Sequence, residues 1–159
     1  MNAYSITALI GFIVASFLTA VPGSLFRPGE WYERLHKPSW RPPNWVFAPV
    51  WSVLYLAIAV SGWLVWQRVG FGGAPLPFAI YALQLVLNAA WTPLFFGLHR
   101  PGLGLVDIAL MWLMIAATIA AFYPIHMGAA LLLLPYLAWV SFAAALNFSI
   151  WRLNRSDRN

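Results

Sequence analysis

Long apolar stretches separated by short polar or Pro/Gly-rich connections make up most of this chain. A helix that crosses about 30 Å of hydrocarbon needs about 20 mostly apolar residues. Five stretches meet this requirement, and they cover residues 4–26, 45–67, 76–97, 103–123 and 127–151. Continuous runs of this length favour helices over the alternating strands of a β-barrel, because backbone groups in lipid must be hydrogen-bonded internally. The sequence therefore predicts an all-α fold, an integral membrane bundle of five transmembrane helices.

Composition agrees with a protein that faces lipid. The chain is 62% hydrophobic and only 8% charged, whereas soluble domains carry about 25% charged residues. Its 159 residues predict a single domain over 1–159. The first apolar run has no basic segment before it and is longer than the apolar region of a signal peptide, so we interpret it as an uncleaved helix.

The basic residues predict the orientation in the membrane. Arg68 lies between the second and third apolar stretches, and the other Lys and Arg residues fall together on the opposite side. These are Arg27, Arg34, Lys37, Arg41, Arg100, Arg152, Arg155 and Arg158. The positive-inside rule predicts that the first loop, the third loop and the C-terminus are cytoplasmic and the N-terminus is outside. The net charge of +5 does not indicate nucleic-acid binding, because the basic residues lie in short connections and not on one polar face.

The residue types needed for several kinds of chemistry are missing from the sequence. It has no cysteine, which excludes thiolate catalysis, cysteine-ligated zinc and iron–sulfur clusters. His36, His99 and His126 lie in three different loops, so we predict no metal site and no bound cofactor. A serine elbow, a P-loop and a dinucleotide fingerprint are also missing.

The first loop, residues 27–44, is unusually aromatic for a linker. Trp31, Tyr32 and Leu35 fall on one side of a short helix that Pro38 must end, and two prolines at 42–43 then stiffen an extended stretch. Such a segment is expected to lie across the mouth of the bundle. It acts either as a lid over a pocket or as an amphipathic surface helix with no ligand beneath it.

Polar residues within the predicted spans indicate which helix faces point inward, since lipid exposure of amides is costly. One stripe lies on the third helix with Trp91 beside it, and a second lies on the fifth helix. The stripes comprise Gln84, Asn88, Thr92 and Phe95, and Trp139, Ala143 and Asn147. This mixture of rings, small residues and amides suits a cavity for a flat, largely apolar ligand, or equally the attachment of one helix to another.

Asp107 is the only acidic residue within a predicted span. A carboxyl group at that depth must be protonated, paired or exposed to water. A structural partner such as an Arg, a Trp or an amide is favoured over a proton relay, because no second carboxylate lies in a span.

Several motifs together resemble those of the TspO/MBR family, the translocator proteins also called peripheral-type benzodiazepine receptors. The resemblance covers nearly the whole chain. It depends on Trp31-Tyr32, Lys37 through Trp40, Pro42-Pro43, Trp51, Asn88 through Phe96 with Trp91-Thr92-Pro93 at its centre, Asp107, Pro135-Tyr136-Leu137, Trp139 and Leu146-Asn147-Phe148.

The resemblance implies a five-helix bundle, often a homodimer, whose first loop closes a pocket. In the family this pocket binds porphyrins such as protoporphyrin IX and synthetic isoquinoline carboxamides. The matching pocket positions are Tyr32, Trp51, Asn88, Trp91, Trp139 and Ala143, with Pro42 and Phe95 or Phe96 as neighbours. Asn147 joins the ligand-binding candidates through its stripe on the fifth helix.

Three functional hypotheses follow. The leading one is a membrane porphyrin-binding protein that senses, sequesters or moves tetrapyrroles. The second is a light- and oxygen-dependent porphyrin-degrading enzyme, since Trp51 and Trp139 resemble the tryptophans that some family members need for this reaction. The third is a transporter of small apolar ligands or sterols. Sterol recognition is the weakest of these expectations, because Phe148 replaces the tyrosine of the family's sterol motif, although Arg152 remains.

Overall fold

The computed structural model describes residues 3–155 and confirms an all-α architecture of five membrane-spanning helices. The spans are Ala3–Leu25, Asn44–Gly73, Pro75–Gly97, Pro101–Phe122 and Met127–Leu153. Each is long and apolar enough to cross a bilayer. Arg158, one of the residues used to predict orientation, lies outside the described residues.

Four of the five spans are divided into two helical elements, whereas the span Pro101–Phe122 is a single helix. The helices are α1 (Ala3–Leu18), α2 (Val21–Leu25), α3 (Glu30–Arg34), α4 (Phe47–Gly73), α5 (Pro75–Thr92), α6 (Pro101–Phe122), α7 (Met127–Leu132) and α8 (Leu134–Leu153). Pro22 and Pro135 each lie just inside the helix that follows a break, where a missing N–H is tolerated. Pro93 opens a π-helical turn, Pro93–Gly97, at the end of the third span.

The second span is longer than predicted. Helix α4 continues to Gly73, whereas the sequence predicts that it ends at residue 67 and that a loop begins at Gly70. Gly70 has φ 62° and ψ 177°, a conformation that glycine adopts easily, so the chain kinks there and then resumes its helix. Phe71 lies just beyond the kink and packs against Phe78 with ring centroids 4.9 Å apart.

Packing follows the pairing of the spans. Helix α4 lies against α1 and α7, and α6 lies between α5 and α8. Ile58, Ile115 and Tyr136 are completely buried between them. Large apolar side chains such as Val53 and Val86 point outward and are more than half exposed. Outward-facing aliphatic residues on long apolar helices are expected where the surrounding solvent is lipid.

Candidate functional site

A chain of hydrogen bonds joins three spans in the middle of the bundle. The Tyr55 hydroxyl of α4 donates to Oδ1 of Asn88 at 3.3 Å, and Nδ2 of Asn88 donates to the Tyr136 hydroxyl at 2.8 Å. The Tyr136 hydroxyl in turn donates to Oε1 of Gln84 at 2.8 Å. All four side chains are buried, so these bonds satisfy groups that lipid would leave unpaired. Asn88 is the link between α4 and α8.

Aromatic rings lie directly beside this polar chain. Trp51 stacks on Tyr55 with ring centroids 5.4 Å apart and meets Tyr136 edge-on at 6.1 Å. Trp139 contacts Phe47 edge-on at 5.7 Å. The two tryptophans come from α4 and α8, so the second and fifth spans each contribute one indole that packs against the central core.

The indole nitrogen of Trp139 is buried and has no hydrogen-bond partner among residues 3–155. A buried N–H without an acceptor is rare in native proteins, because losing its hydrogen bond to water costs free energy. The same holds for Nε2 of Gln84, which lies one turn before Asn88 on α5. Each of these two groups could therefore donate a hydrogen bond to an acceptor atom of a bound molecule.

The first loop packs on the end of the bundle next to these rings. Tyr32 of α3 is buried and meets Phe95 and Phe96 edge-on at 6.3 Å and 5.3 Å. The ammonium of Lys37 lies 4.7 Å from the centre of the Tyr32 ring. Further along the loop, Trp40 contacts Phe142 of α8 at 5.7 Å.

The loop helix is shorter than the sequence suggests. It ends at Arg34, and Leu35 is already extended, so Pro38 is not the residue that ends it. Tyr32 is the residue of the predicted apolar face that is buried, while Trp31 and Leu35 are half-buried.

Trp91 and Asn147 connect the third and fifth spans to the start of α6. The Trp91 indole donates to Oδ1 of Asn147 at 3.1 Å, and Nδ2 of Asn147 donates to the Pro101 carbonyl at 2.8 Å. Trp91 also stacks on Phe95 with centroids 5.0 Å apart. The hydrogen bonds of this pair therefore hold helices together, which is one of the two roles open for the amide stripes.

The candidate residues form two adjoining groups. Trp51, Asn88, Trp139 and Ala143 lie with the central core, and Tyr32 and Phe95 lie with the loop cluster. Trp91 packs against both, and Phe47 joins the loop cluster to Trp139. Pro42 is half-buried in the first loop.

Sequence reasoning missed Phe47 and Tyr55 as site residues. Phe47, Trp51 and Tyr55 recur at every fourth position and so share one stripe of α4, a signal that was available in the sequence. Tyr136 was noticed as part of a motif, but its role as a hydrogen-bond hub depends on how α8 is placed against α5, and spacing alone does not give this.

The expectation of a structural partner for Asp107 is wrong for one of its carboxyl oxygens. Oδ2 is buried and has no hydrogen-bond partner among the described residues, and the side chain is 5% exposed. The sequence could not show which side chain lies opposite Asp107, because the register between the helices was unknown. Within residues 3–155 no group of three or more His, Asp or Glu side chains is arranged to hold a metal ion.

Comparison with known proteins identifies the family to which the chain belongs. A profile of the TspO/MBR family matches residues 4–152. The chain belongs to the TspO/MBR family. It is 45% identical over 154 residues to the translocator protein of Homo sapiens, with 94% of this chain and 91% of the relative covered. It is 41% identical over 159 residues to protein CrtK of Rhodobacter capsulatus, with 97% of each chain covered.

A third relative has a name that describes its composition and role. The tryptophan-rich sensory protein of Cereibacter sphaeroides is 43% identical over 143 residues, with 90% of this chain and 89% of the relative covered. The family resemblance deduced from the motifs is therefore confirmed. With five membrane-spanning helices, this TspO/MBR member is an integral multi-pass membrane protein.

Proposed function

We propose that this TspO/MBR protein binds a porphyrin such as protoporphyrin IX between the first loop and the indoles of Trp51 and Trp139, and thereby senses, sequesters or moves tetrapyrroles. The observation that carries the proposal is the buried indole N–H of Trp139, which has no partner within residues 3–155 and lies among aromatic rings. A planar ligand with polar groups at its edge offers stacking surface to such rings and an acceptor to the N–H. The same chemistry suits isoquinoline carboxamides, whose carbonyl supplies the acceptor.

Ligand entry in this proposal requires the first loop to move. Tyr32 is buried against the π-helical turn, and Trp40 contacts α8, so the loop packs on the bundle at both points, which supports a role as a lid. A porphyrin replaces some of the contacts that the rings now make with one another. Tyr32, Pro42, Trp91, Phe95 and Ala143 would then border the ligand. Asn88 and Asn147 would offer their remaining hydrogen-bonding capacity.

A specific contact favours the enzymatic alternative as a second candidate. Trp51 contacts both Tyr55 and Tyr136, so an indole that donates an electron while oxygen oxidises the photo-excited porphyrin lies within a cluster of easily oxidised rings. In that reading oxygen is the final oxidant, and Trp51 and Trp139 are catalytic residues.

A titration followed by illumination separates binding from degradation. We expect protoporphyrin IX to quench the tryptophan fluorescence of the purified protein saturably, and an isoquinoline carboxamide to reverse the quenching. Quenching that rises linearly, as in protein-free detergent, would contradict the binding proposal. Illumination of the complex in oxygen then tests the enzyme. A new pigment that Trp51→Phe with Trp139→Phe abolishes supports degradation, whereas porphyrin that persists unchanged in the wild type argues against it.

We further propose that the first loop, third loop and C-terminus face the cytoplasm and that the protein forms a homodimer. Because the chain has no cysteine, a single introduced cysteine is the only thiol that can be labelled, and its labelling shows on which side of the membrane it lies. Arg68→Cys and Arg100→Cys both alter exposed residues. We expect an impermeant maleimide to label Arg68→Cys only from outside and Arg100→Cys only from the cytoplasmic side. The reverse labelling pattern would contradict the proposed orientation.

Native mass spectrometry tests the homodimer. A mass that corresponds to a single chain would contradict it.

A further inference from the structure

A cavity of about 270 Å³ lies at the positively charged end of the bundle, apart from the candidate porphyrin site. Its lining includes Trp31 and Arg34 of α3, Trp151 in the last turn of α8, and Arg155, two residues beyond that helix. Pro101, the first residue of α6, forms part of its lining. The cavity is therefore built from three separate parts of the chain.

The parts of the chain that line the cavity are fixed to one another. The side-chain oxygen of Asn154 accepts a hydrogen bond from the His36 backbone N–H at 2.9 Å, and its Nδ2 donates to the His36 carbonyl at 2.9 Å. Trp31 stacks on His99 of the third loop with ring centroids 4.5 Å apart. The Asn154 bonds hold the first loop at the end of α8, and the Trp31 stack holds it beside the start of α6, so the cavity has defined sides.

The charge of the cavity is positive. The guanidinium of Arg155 lies over the Trp151 ring, 5.4 Å from its centre. Arg34 bonds Glu30 at 2.9 Å through one nitrogen, but both side chains are largely exposed, and the other N–H groups of Arg34 are available to an anion. Among the described residues no side chain caps the start of α6, and the partial positive charge of its first N–H groups offsets the partial negative charge at the carbonyl end of α8, so the positive charge comes from the two arginines. Guanidinium groups match the geometry of phosphate oxygens.

An apolar route leads from the cavity toward the hydrocarbon. Phe148 lies one turn before Trp151 on α8, contacts its ring at 5.9 Å, and is 44% exposed. Leu103, two residues after Pro101 on α6, is 39% exposed. A molecule whose anionic group lies in the cavity thus has exposed aromatic and aliphatic side chains within three residues of the lining on α8 and α6. This arrangement suits an amphiphile better than a soluble anion.

We propose that this cavity binds an anionic phospholipid, with the phosphodiester between Arg34 and Arg155 and the acyl chains along Phe148. Trp151 lies near the end of the fifth span, the position at which aromatic residues are enriched beside lipid headgroups. The bound lipid would connect the first loop to the end of α8 and so lie against the loop that we propose as the lid of the porphyrin site. Free phosphate esters share the headgroup chemistry, and the test distinguishes them from the lipid.

Native mass spectrometry of the protein with phosphatidylglycerol or phosphatidylcholine tests the proposal. The wild type is expected to retain phosphatidylglycerol preferentially, and Arg34→Gln with Arg155→Gln to reduce those adducts about fivefold, because this pair removes both guanidinium groups that would bond the phosphodiester inside the cavity. Arg27→Gln with Arg68→Gln removes the same charge outside the cavity and is expected to leave the adducts unchanged. Equal loss in both pairs, or loss in neither, would overturn the proposal.

A single variant and a competition experiment complete the test. Arg155→Gln alone changes one exposed residue just beyond the end of α8 and is expected to lose part of the adducts even if the double variant does not fold. Glycerol 3-phosphate at the concentration of the lipid is expected not to displace phosphatidylglycerol. Displacement by this soluble ester would show that the cavity binds free phosphate esters, and the lipid assignment would then be wrong.

Discussion

Replacing Gly62 with alanine is expected to lower the thermal stability of the protein substantially. Gly62 is buried in α4. A Cβ atom added there would lie 2.8 Å from Cε1 of Phe12 and 2.8 Å from both Cζ and the hydroxyl oxygen of Tyr81. Contacts this short do not occur between carbon atoms in well-packed proteins, so a ring or a helix must move.

Neither ring is free to move. Phe12 and Tyr81 are 8% and 4% exposed and meet one another edge-on at 6.1 Å. The Tyr81 hydroxyl also donates to the Ile58 carbonyl at 3.0 Å, and a shift of the ring stretches this bond. Overpacking of a filled core costs about 1–3 kcal/mol. We therefore expect the Gly62→Ala thermal midpoint in detergent to fall by about 5 °C.

Gly11→Ala is the matched control for this prediction. It adds the same methyl group within α1, where nothing lies within 4 Å of the new Cβ. Alanine has a higher helix propensity than glycine by up to about 1 kcal/mol, so this variant is expected to be as stable as the wild type or more so. Similar midpoints for the two variants would contradict the packing described around Gly62.

The inward faces of α5 and α8 could be predicted from sequence because lipid penalises unpaired polar groups. Gln84, Asn88 and Asn147 are all buried, as their spacing within apolar runs indicates. Phe95 also follows the predicted stripe, although the chain widens into a π-helical turn before reaching it.

The partners of these residues could not be predicted, because they depend on the register between helices distant in sequence. Asn88 bonds Tyr55, 33 positions earlier, and Tyr136, 48 positions later. Nothing in the period of one helix shows the height at which another helix presents its tyrosine. The same limit explains Asp107, for which the sequence suggested a partner that Oδ2 does not have among residues 3–155.

The predicted end of the second span was too early for a local reason. Clustered glycines at 70, 72 and 73 are typical of a loop, and here the helix kinks at Gly70 and continues. Phe71 explains the continuation, since its ring contacts Phe12 and Phe78 and so holds the last turn against α1 and α5.

Loss of the Trp139 indole is expected to weaken porphyrin binding by about tenfold. Its ring contacts Phe47 and Phe142 at 5.7 Å and 5.4 Å, and its nitrogen is buried without a partner in the described part of the chain. Trp139→Ala removes both the stacking surface and the one N–H that the proposal assigns to the ligand. Aromatic contacts contribute about 0.5–1.5 kcal/mol beyond the area they bury, and a hydrogen bond adds about 1 kcal/mol.

Trp112→Ala is the control for the loss of one indole. Trp112 is 36% exposed on α6, and its nitrogen already donates to the Ser141 hydroxyl at 2.8 Å. The variant removes one fluorescent side chain that is not among the residues proposed to contact the porphyrin and whose indole N–H already has an acceptor. Any general effect of deleting a tryptophan on the fluorescence readout or on detergent binding appears equally in both variants.

The dissociation constant of protoporphyrin IX, measured for the wild type, Trp139→Ala and Trp112→Ala in one detergent, tests most directly whether the ligand lies inside the bundle. We predict about tenfold weaker binding for Trp139→Ala and an unchanged constant for Trp112→Ala. An unchanged constant for Trp139→Ala, or an equal loss in both variants, would show that the porphyrin does not occupy the space beneath the first loop.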